Sequence, residues 1–208
     1  MWRARVTDDG AGEWLALSLG TLSREGVVAY PTDTLYGLGA DPRSAAAVAR
    51  LYRIKGRAVD QAIPLIASDR AQLEACGAVL SPLGARLAEA LWPGPLTLVI
   101  EAWPGLDAAL LAGGDGVAVR VPAHDVARAL ARGLGHPITS TSANRSGEPA
   151  TPDPDAVAAA IGPDLDGLVD AGRAPGGPAS TIVDARGRAP RLLRAGVVPW
   201  ERVLEFER

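Results

Sequence analysis

The sequence predicts an α/β fold, an open sheet with helices on both faces. Three observations carry this. Short apolar runs of strand length alternate with longer, capped stretches at helical spacing. Several polar loops directly follow an apolar run, as they do at the edge of such sheets. The chain has 208 residues, 48% hydrophobic and 22% charged, enough to bury one large core.

Taken in order, "GEWLALSLGTLSREG" (12–26) places Trp14, Leu15, Leu19 and Leu22 near helical spacing before Gly26, and "VVAYPT" follows as a strand. "DPRSAAAVARLYRIKG" (41–56) is a helix with Asp41 or Ser44 as N-cap and Gly56 just past its end. "AIPLIAS" (62–68) reads as a short strand and 68–77 as a capped helix. In 81–92, Ser81 as N-cap and Pro82 at the first turn start a helix, and "LTLVIEA" (96–102) is an apolar strand. The Gly-rich "LAGGDG" leads to strand 117–122, helix 124–132 and strand 137–142. Helix 154–161 and strands 167–170, 180–184 and 191–195 complete the alternation. No repeat or linker divides the chain, so residues 1–208 are expected to form one domain.

Charge and cysteine usage exclude several functions. The net charge is 21 − 24 = −3, so no overall basic field exists to hold nucleic acid, and an anion site must be a local concentration of charge. Cys76 is the only cysteine, which rules out an internal disulfide. With no leader-like segment and no 18-residue apolar run, a cytoplasmic protein without membrane association is expected. His124 and His136 lack the spacing of a helical metal pair, and no protein-built metal site is expected.

The phosphate loop GxxxxGK[ST], a dinucleotide turn and the GxSxG elbow are all missing. Three loops remain. "YPTDTLYGLGAD" (30–41) offers Thr32, Thr34 and Tyr36, whose hydroxyls could hold a polar ligand or bond their own turn. "KGR" contains Lys55, the only lysine among 21 basic residues. Arginine would cap a helix C-terminus equally well, so a lysine kept here points to a compact ammonium with three rotatable donors. "TSTSANRSG" (139–147) contains the only asparagine, Asn144, among Ser140, Ser142 and Ser146. Arg120 near a strand end, and Arg186, Arg188, Arg191 and Arg194 in the last strand region, add candidate anion ligands. Together they suggest a site for a nucleoside triphosphate and a small polar acid.

"YPTDTLYGLGAD", "KGR", "WPGPLTLVI", "VAVRVP", "STSANRSG", "ASTIVD" and "LLRAG" occur in the order found in the YrdC/TsaC family, the L-threonylcarbamoyladenylate synthases. The resemblance spans about residues 13–198. It implies a twisted, mostly mixed open sheet around a concave basic cavity, without the extra C-terminal domain of longer relatives. It further implies a nucleotidyltransferase that joins L-threonine, bicarbonate or CO2, and ATP into threonylcarbamoyl-adenylate and pyrophosphate, for N6-threonylcarbamoyladenosine in tRNA. By motif, Lys55, Arg57, Gln61, Ser142, Asn144 and Arg194 are implied to contact ATP, with Lys55 and Arg57 catalytic. Thr34, Arg120, Ser140 and Ser180 are implied to contact threonine, and Mg2+ to accompany ATP. Ala58, Gln61 and Ala195 depart from the commoner pattern, which has proline, Asn or Lys, and proline there. Implied partners are the enzymes that transfer the group to tRNA, with weak RNA binding. Two other readings stay open: a double-stranded RNA or tRNA binding module using the same cavity, and a carbamoyl-adenylate domain acting on another carbamoyl donor.

Lys55→Ala is expected nearly to abolish adenylate formation. Lys55→Arg is expected to impair it as well, since the guanidinium is larger and planar. Near-full activity of Lys55→Arg in a pyrophosphate-release assay would overturn the argument from uniqueness.

Overall fold

A computed structural model describes residues 1–7, 11–56, 58 and 61–207. In chain order the elements are β1 (Trp2–Arg5), α1 (Ala11–Leu22), β2 (Val28–Tyr30), β3 (Gly37–Gly39), α2 (Ala45–Lys55), β4 (Leu65–Ile66), α3 (Arg70–Ala75), α4 (Pro82–Leu91) and β5 (Leu96–Glu101). They continue with β6 (Gly116–Arg120), α5 (Asp125–Leu134), β7 (Ile138–Thr139), β8 (Thr141–Ser142), α6 (Pro154–Ile161), β9 (Gly167–Asp170), β10 (Thr181–Asp184), β11 (Arg191–Arg194) and α7 (Trp200–Leu204). None of these helices is long and apolar enough to cross a membrane.

The mixed α/β character expected from the sequence holds, and the strands divide between two sheets. One runs β1-β9-β2-β3-β8 and the other β11-β10-β5-β6-β4-β7, each with parallel and antiparallel neighbours. A large apolar cluster, including Leu51, Leu65, Leu98 and Val119, forms the main core. A smaller one, including Trp14, Tyr30, Ile66 and Leu130, packs α1 and α5 against the strands.

The predicted caps form. Ser44, rather than Asp41, accepts from Ala47 N at 3.2 Å. Asp69 accepts from Gln72 N at 2.8 Å, and Ser81 from Gly84 N at 3.0 Å with Pro82 opening α4. Each satisfies a backbone donor that the first helical turn leaves over.

Helix α7 had no counterpart in the sequence reading, and three strand assignments depart from it. Strand β3 lies in a segment read as loop, because Gly37-Leu38-Gly39 offers little side-chain pattern. Its glycines leave room for the Tyr30 ring, since a Cβ on Gly39 would sit 3.0 Å from Tyr30 Cε1. Strand β1 pairs with β9 across some 165 residues of sequence, Trp2 opposite Gly167, so local pattern carried no trace of it. The predicted strand 137–142 is broken at Ser140: β7 belongs to the second sheet and β8 to the first. Ser140 is thus the residue at which the chain passes from one sheet to the other, fastened by its N–H to Pro64 O at 2.7 Å.

Beyond β11 the chain folds back on the segment before β10. Val197 N donates to Ala179 O at 3.1 Å, and a methyl on Gly196 would overlap Ala179 O and the Ser180–Thr181 peptide. Gly196→Ala is therefore expected to cost about 1–3 kcal/mol by overpacking. For a chain this size that lowers the Tm by roughly 2–4 °C per kcal/mol, readable in a thermal melt. An unchanged Tm would refute the tight approach.

Candidate active site

The gap between the two sheets holds a cavity of about 340 Å³. Residues of the first sheet (Gly37, Thr141, Ser142) and of the second (Leu65, Ile66, Thr97, Arg120, Ile182, Arg194) line it, with Thr34, Ser140 and Ser180 from the connecting segments. It lies where the chain switches sheets, the kind of crevice in which α/β folds bind ligands. The structure thus gathers Thr34, Arg120, Ser140, Ser142, Ser180 and Arg194, drawn from five separate stretches of sequence, around one cavity. A somewhat larger hollow of about 430 Å³, bordered by Trp92, Pro93 and Arg128, contains none of the residues singled out in the sequence.

Lys55 and Asn144, unique of their kind in the chain, bond each other. The Lys55 ammonium donates to Asn144 Oδ1 at 2.9 Å, to Ser142 O at 2.6 Å and to Ser142 Oγ at 3.3 Å. Local structure explains its burial to 2% exposure: Lys55 continues the α2 face of Val48, Leu51 and Tyr52 that packs into the core. Asn144 uses its amide fully, Nδ2 donating to Glu148 O at 2.6 Å and Arg145 O at 3.0 Å. Ser146 N closes the contact on Lys55 O at 2.8 Å, so the segment after β8 is seated on the C-terminal end of α2. Arg57 lies outside the described residues. Gln61 is exposed one residue before Ala62, a lining residue, and its carbonyl accepts from Tyr52 Oη at 2.8 Å.

Arg120, 6% exposed at the end of β6, donates from Nη1 to Asp33 Oδ1 at 2.8 Å. Arg194 reaches back from the edge strand β11 and donates to Ser180 O at 2.9 Å and Ser180 Oγ at 3.1 Å. Desolvation, with the like charge of Arg120 as a lesser cause, pulls the Arg194 guanidinium below its ordinary value. Two polar lining residues escaped the sequence reading. Thr97 stands in an apolar strand, where its hydroxyl shares a 2.8 Å bond with Ser180 Oγ, and only its polarity inside "LTLVIEA" could have marked it. Thr141 looked like part of a continuous strand.

The arginines just before and at the start of β11 serve the scaffold. Arg186 pairs with Asp184 at 2.9 Å and with Asp115, and Arg191 pairs with Asp184 at 3.0 Å, leaving Arg194 as the member that reaches the cavity. Hydrogen bonds from Arg186 hold the Asp184 carboxyl well below the usual carboxylate range. Burial pulls His124 and His136 down, so both are neutral at pH 7.

The chain is similar in sequence and fold to known proteins. The Sua5/YciO/YrdC family model, described as "Telomere recombination", matches residues 20–196. The Bacillus subtilis protein named threonylcarbamoyl-AMP synthase is 35% identical over 205 residues, 97% of this chain and 59% of that one. A Thiobacillus denitrificans protein of the same name is 48% identical over 126 residues, 61% of this chain and 67% of that one. The crystal structure of Pyrococcus abyssi Sua5 complexed with L-threonine superimposes with a TM-score of 0.90 at 33% identity, over 99% of this chain and 60% of that one. The chain spans about three fifths of the length of the B. subtilis relative and of the P. abyssi structure.

Asp184 fastens Arg191 and Arg186 beside the strand that presents Arg194, and its depressed value sets a pH dependence. The folded state binds fewer protons than the unfolded state, so its contribution is full above the unfolded value near 3.8 and is lost as pH falls below it. The urea midpoint of Asp184→Asn is expected to fall less between pH 6 and pH 2 than that of the wild type. Parallel profiles would refute the assignment.

Proposed function

The chain belongs to the Sua5/YciO/YrdC family, and on that premise we propose that it is a threonylcarbamoyl-AMP synthase condensing L-threonine, bicarbonate or CO2, and ATP. The observation that carries this reading is the cavity between the sheets, where a buried arginine, a second guanidinium and several hydroxyls converge. Its volume of about 340 Å³ suits an amino acid with the reacting part of a nucleotide, at the small end of ligand pockets. That small volume also favours a small-molecule reaction over a module that grips an RNA backbone.

In the proposed reaction the threonine amine adds to the carbon of CO2 and loses a proton, giving a carbamate; starting from bicarbonate, one water is released. A carbamate oxygen then attacks the α-phosphorus of ATP. The new O–P bond forms in line as the bond to the β,γ-pyrophosphate breaks, and the electron pair departs with pyrophosphate. Arg120 takes the threonine carboxylate through a charge-assisted bond, with Thr34, Ser140 and Ser180 around the rest of the molecule. Lys55, Ser142, Asn144 and Arg194 serve the nucleotide, joined through the resemblance by Arg57 and Gln61. The work asked of them is positioning and neutralisation of charge on the phosphates, and effective concentration alone can supply about 7 kcal/mol or more for well-oriented partners.

Magnesium would enter with ATP. Among the described residues no three His, Cys, Asp or Glu side chains converge, and Asp33, the carboxylate bonded to a lining arginine, is committed to Arg120. The phosphates of ATP would carry most of the ion's coordination. An enzyme that consumes ATP for tRNA modification belongs in the cytoplasm, beside the enzymes that pass its product to tRNA; weak RNA binding would assist that transfer.

One incubation with ATP, L-threonine and labelled bicarbonate, read by mass detection of the adenylate, tests the reading. Pyrophosphate release that needs neither threonine nor bicarbonate would overturn it. Arg120→Ala is expected to raise the KM for threonine about tenfold to a hundredfold, the worth of a hydrogen bond to a charged group. Loss of ATP affinity alone would show that Arg120 has another role.

A further inference from the structure

The hydrogen bonds around Thr32 and Asp33 fix which way two lining groups can bond. Thr32 Oγ1 lies 2.7 Å from Leu35 O, and a carbonyl only accepts, so the single Thr32 hydroxyl proton is spent there. Thr32 Oγ1 also accepts from Thr34 N at 3.2 Å. The remaining contact, 3.2 Å between the Thr32 and Thr34 hydroxyls, must then have Thr34 as its donor. Both side chains are buried, 2% and 7% exposed, so bulk water does not compete for these bonds. Thr34 is left with lone pairs toward the cavity and no free proton.

The next residue does the complementary thing. Asp33 Oδ1 accepts from Arg120 Nη1 at 2.8 Å with both side chains largely buried, and Asp33 Oδ2 accepts from Ala123 N at 3.3 Å. The Arg120 guanidinium has five N–H donors in a planar fork, and among the described residues it donates no hydrogen bond other than the one to Asp33. Because Arg120 lines the cavity, its unspent donors face the space that Thr34 also borders.

We propose that Thr32 and Asp33 are positioning residues that set the polarity of the amino-acid subsite. Thr32 makes Thr34 an acceptor for the substrate's N–H, and Asp33 holds the Arg120 fork toward its carboxylate. An acceptor is the partner the reaction needs, since ammonium, free amine and carbamate each keep at least one N–H. A Thr34 hydroxyl free to donate would instead compete for the carboxylate or for the carbamate oxygen that must reach phosphorus. The inference rests on the proposed synthase reading and deepens it by assigning the substrate's orientation.

The test is calorimetric binding of L-threonine and of ATP, measured separately on the full chain, for wild type, Thr32→Val, Thr32→Ser, Asp33→Asn and Asp33→Glu. Thr32→Val and Asp33→Asn are expected to weaken L-threonine by about fivefold or more, as lost hydrogen bonds of this kind do, with ATP affinity within about twofold of wild type. Thr32→Ser, which keeps the hydroxyl, should restore threonine binding. Competition by two fragments separates the ends: 1-amino-2-propanol should lose affinity with Thr32→Val, and 3-hydroxybutanoate with Asp33→Asn. Should Asp33→Asn fail to fold in circular dichroism, Asp33→Glu carries the test, because its longer arm displaces Arg120 and must weaken threonine selectively. Unchanged threonine affinity, or equal losses for threonine and ATP, would overturn the proposal. A wild type that binds ATP but no threonine would instead overturn the synthase reading.

Discussion

A buried ammonium group is the constraint around which this site is arranged. Taking a charge out of water costs several kcal/mol after relaxation, so Lys55 can be buried only where acceptors surround it. Ser142 O, Ser142 Oγ and Asn144 Oδ1 meet that need. They stand at the end of β8, in the first sheet, while Lys55 ends a helix whose buried face joins the main core. Satisfying the ammonium therefore fixes the segment from Ser142 to Ser146 against α2, beside the cavity that Ser142 lines, although Lys55 and Asn144 are not themselves among its lining residues. A guanidinium has a planar fork in place of three rotatable donors and would not match this set of acceptors, which gives the single departure from arginine in the chain a structural basis.

The electrostatics of the cavity show how an acidic chain can hold a local cationic site. Arg186 and Arg191 are spent on Asp184 and Asp115, so the edge strand is pinned by neutralised pairs. Arg120 is paired too, with Asp33, yet through one edge of its fork only. Arg194 reaches the cavity on a carbonyl and a hydroxyl, with no carboxylate partner among the described residues. Its depressed value reports first the cost of burying it and second the like charge of Arg120 beside it. Positive charge only partly compensated thus lines a cavity whose proposed ligands are phosphates and a carboxylate, and an anionic ligand would offset both causes.

Much of this was legible in the sequence, for reasons that differ by feature. Caps and apolar spacing located the helices because those signals are local: Ser44, Asp69 and Ser81 each bond a backbone N–H three residues on. Lys55 and Asn144 were legible through composition, since a residue avoided everywhere else is conspicuous where it is kept. Their bond to each other was not, because it joins positions 89 apart. The break at Ser140 was hidden for a physical reason: two strands of two residues each, joined by one residue, read as a single run, and only the Pro64 carbonyl and the two separate sheets distinguish them. Strand β3 was hidden because its glycines are chosen for the Tyr30 ring across from them. Nothing local marked Asp33, because its carboxylate is held by an arginine 87 positions away.

The same geometry bears on how the site would lower a barrier. The residues lining the cavity present hydroxyls, apolar side chains and two guanidinium groups. The only cysteine is outside it, and burial raises its thiol, which makes it a poor nucleophile at neutral pH. Both histidines are also outside, held neutral by burial. A reaction in which the amine itself attacks CO2 and the carbamate itself attacks phosphorus asks for no group of that kind. It asks that three reactants be held at short distances with their polar ends correctly assigned. Fixed hydroxyl polarity and half-spent arginines provide that, because each presents one kind of bond in one direction before any ligand arrives.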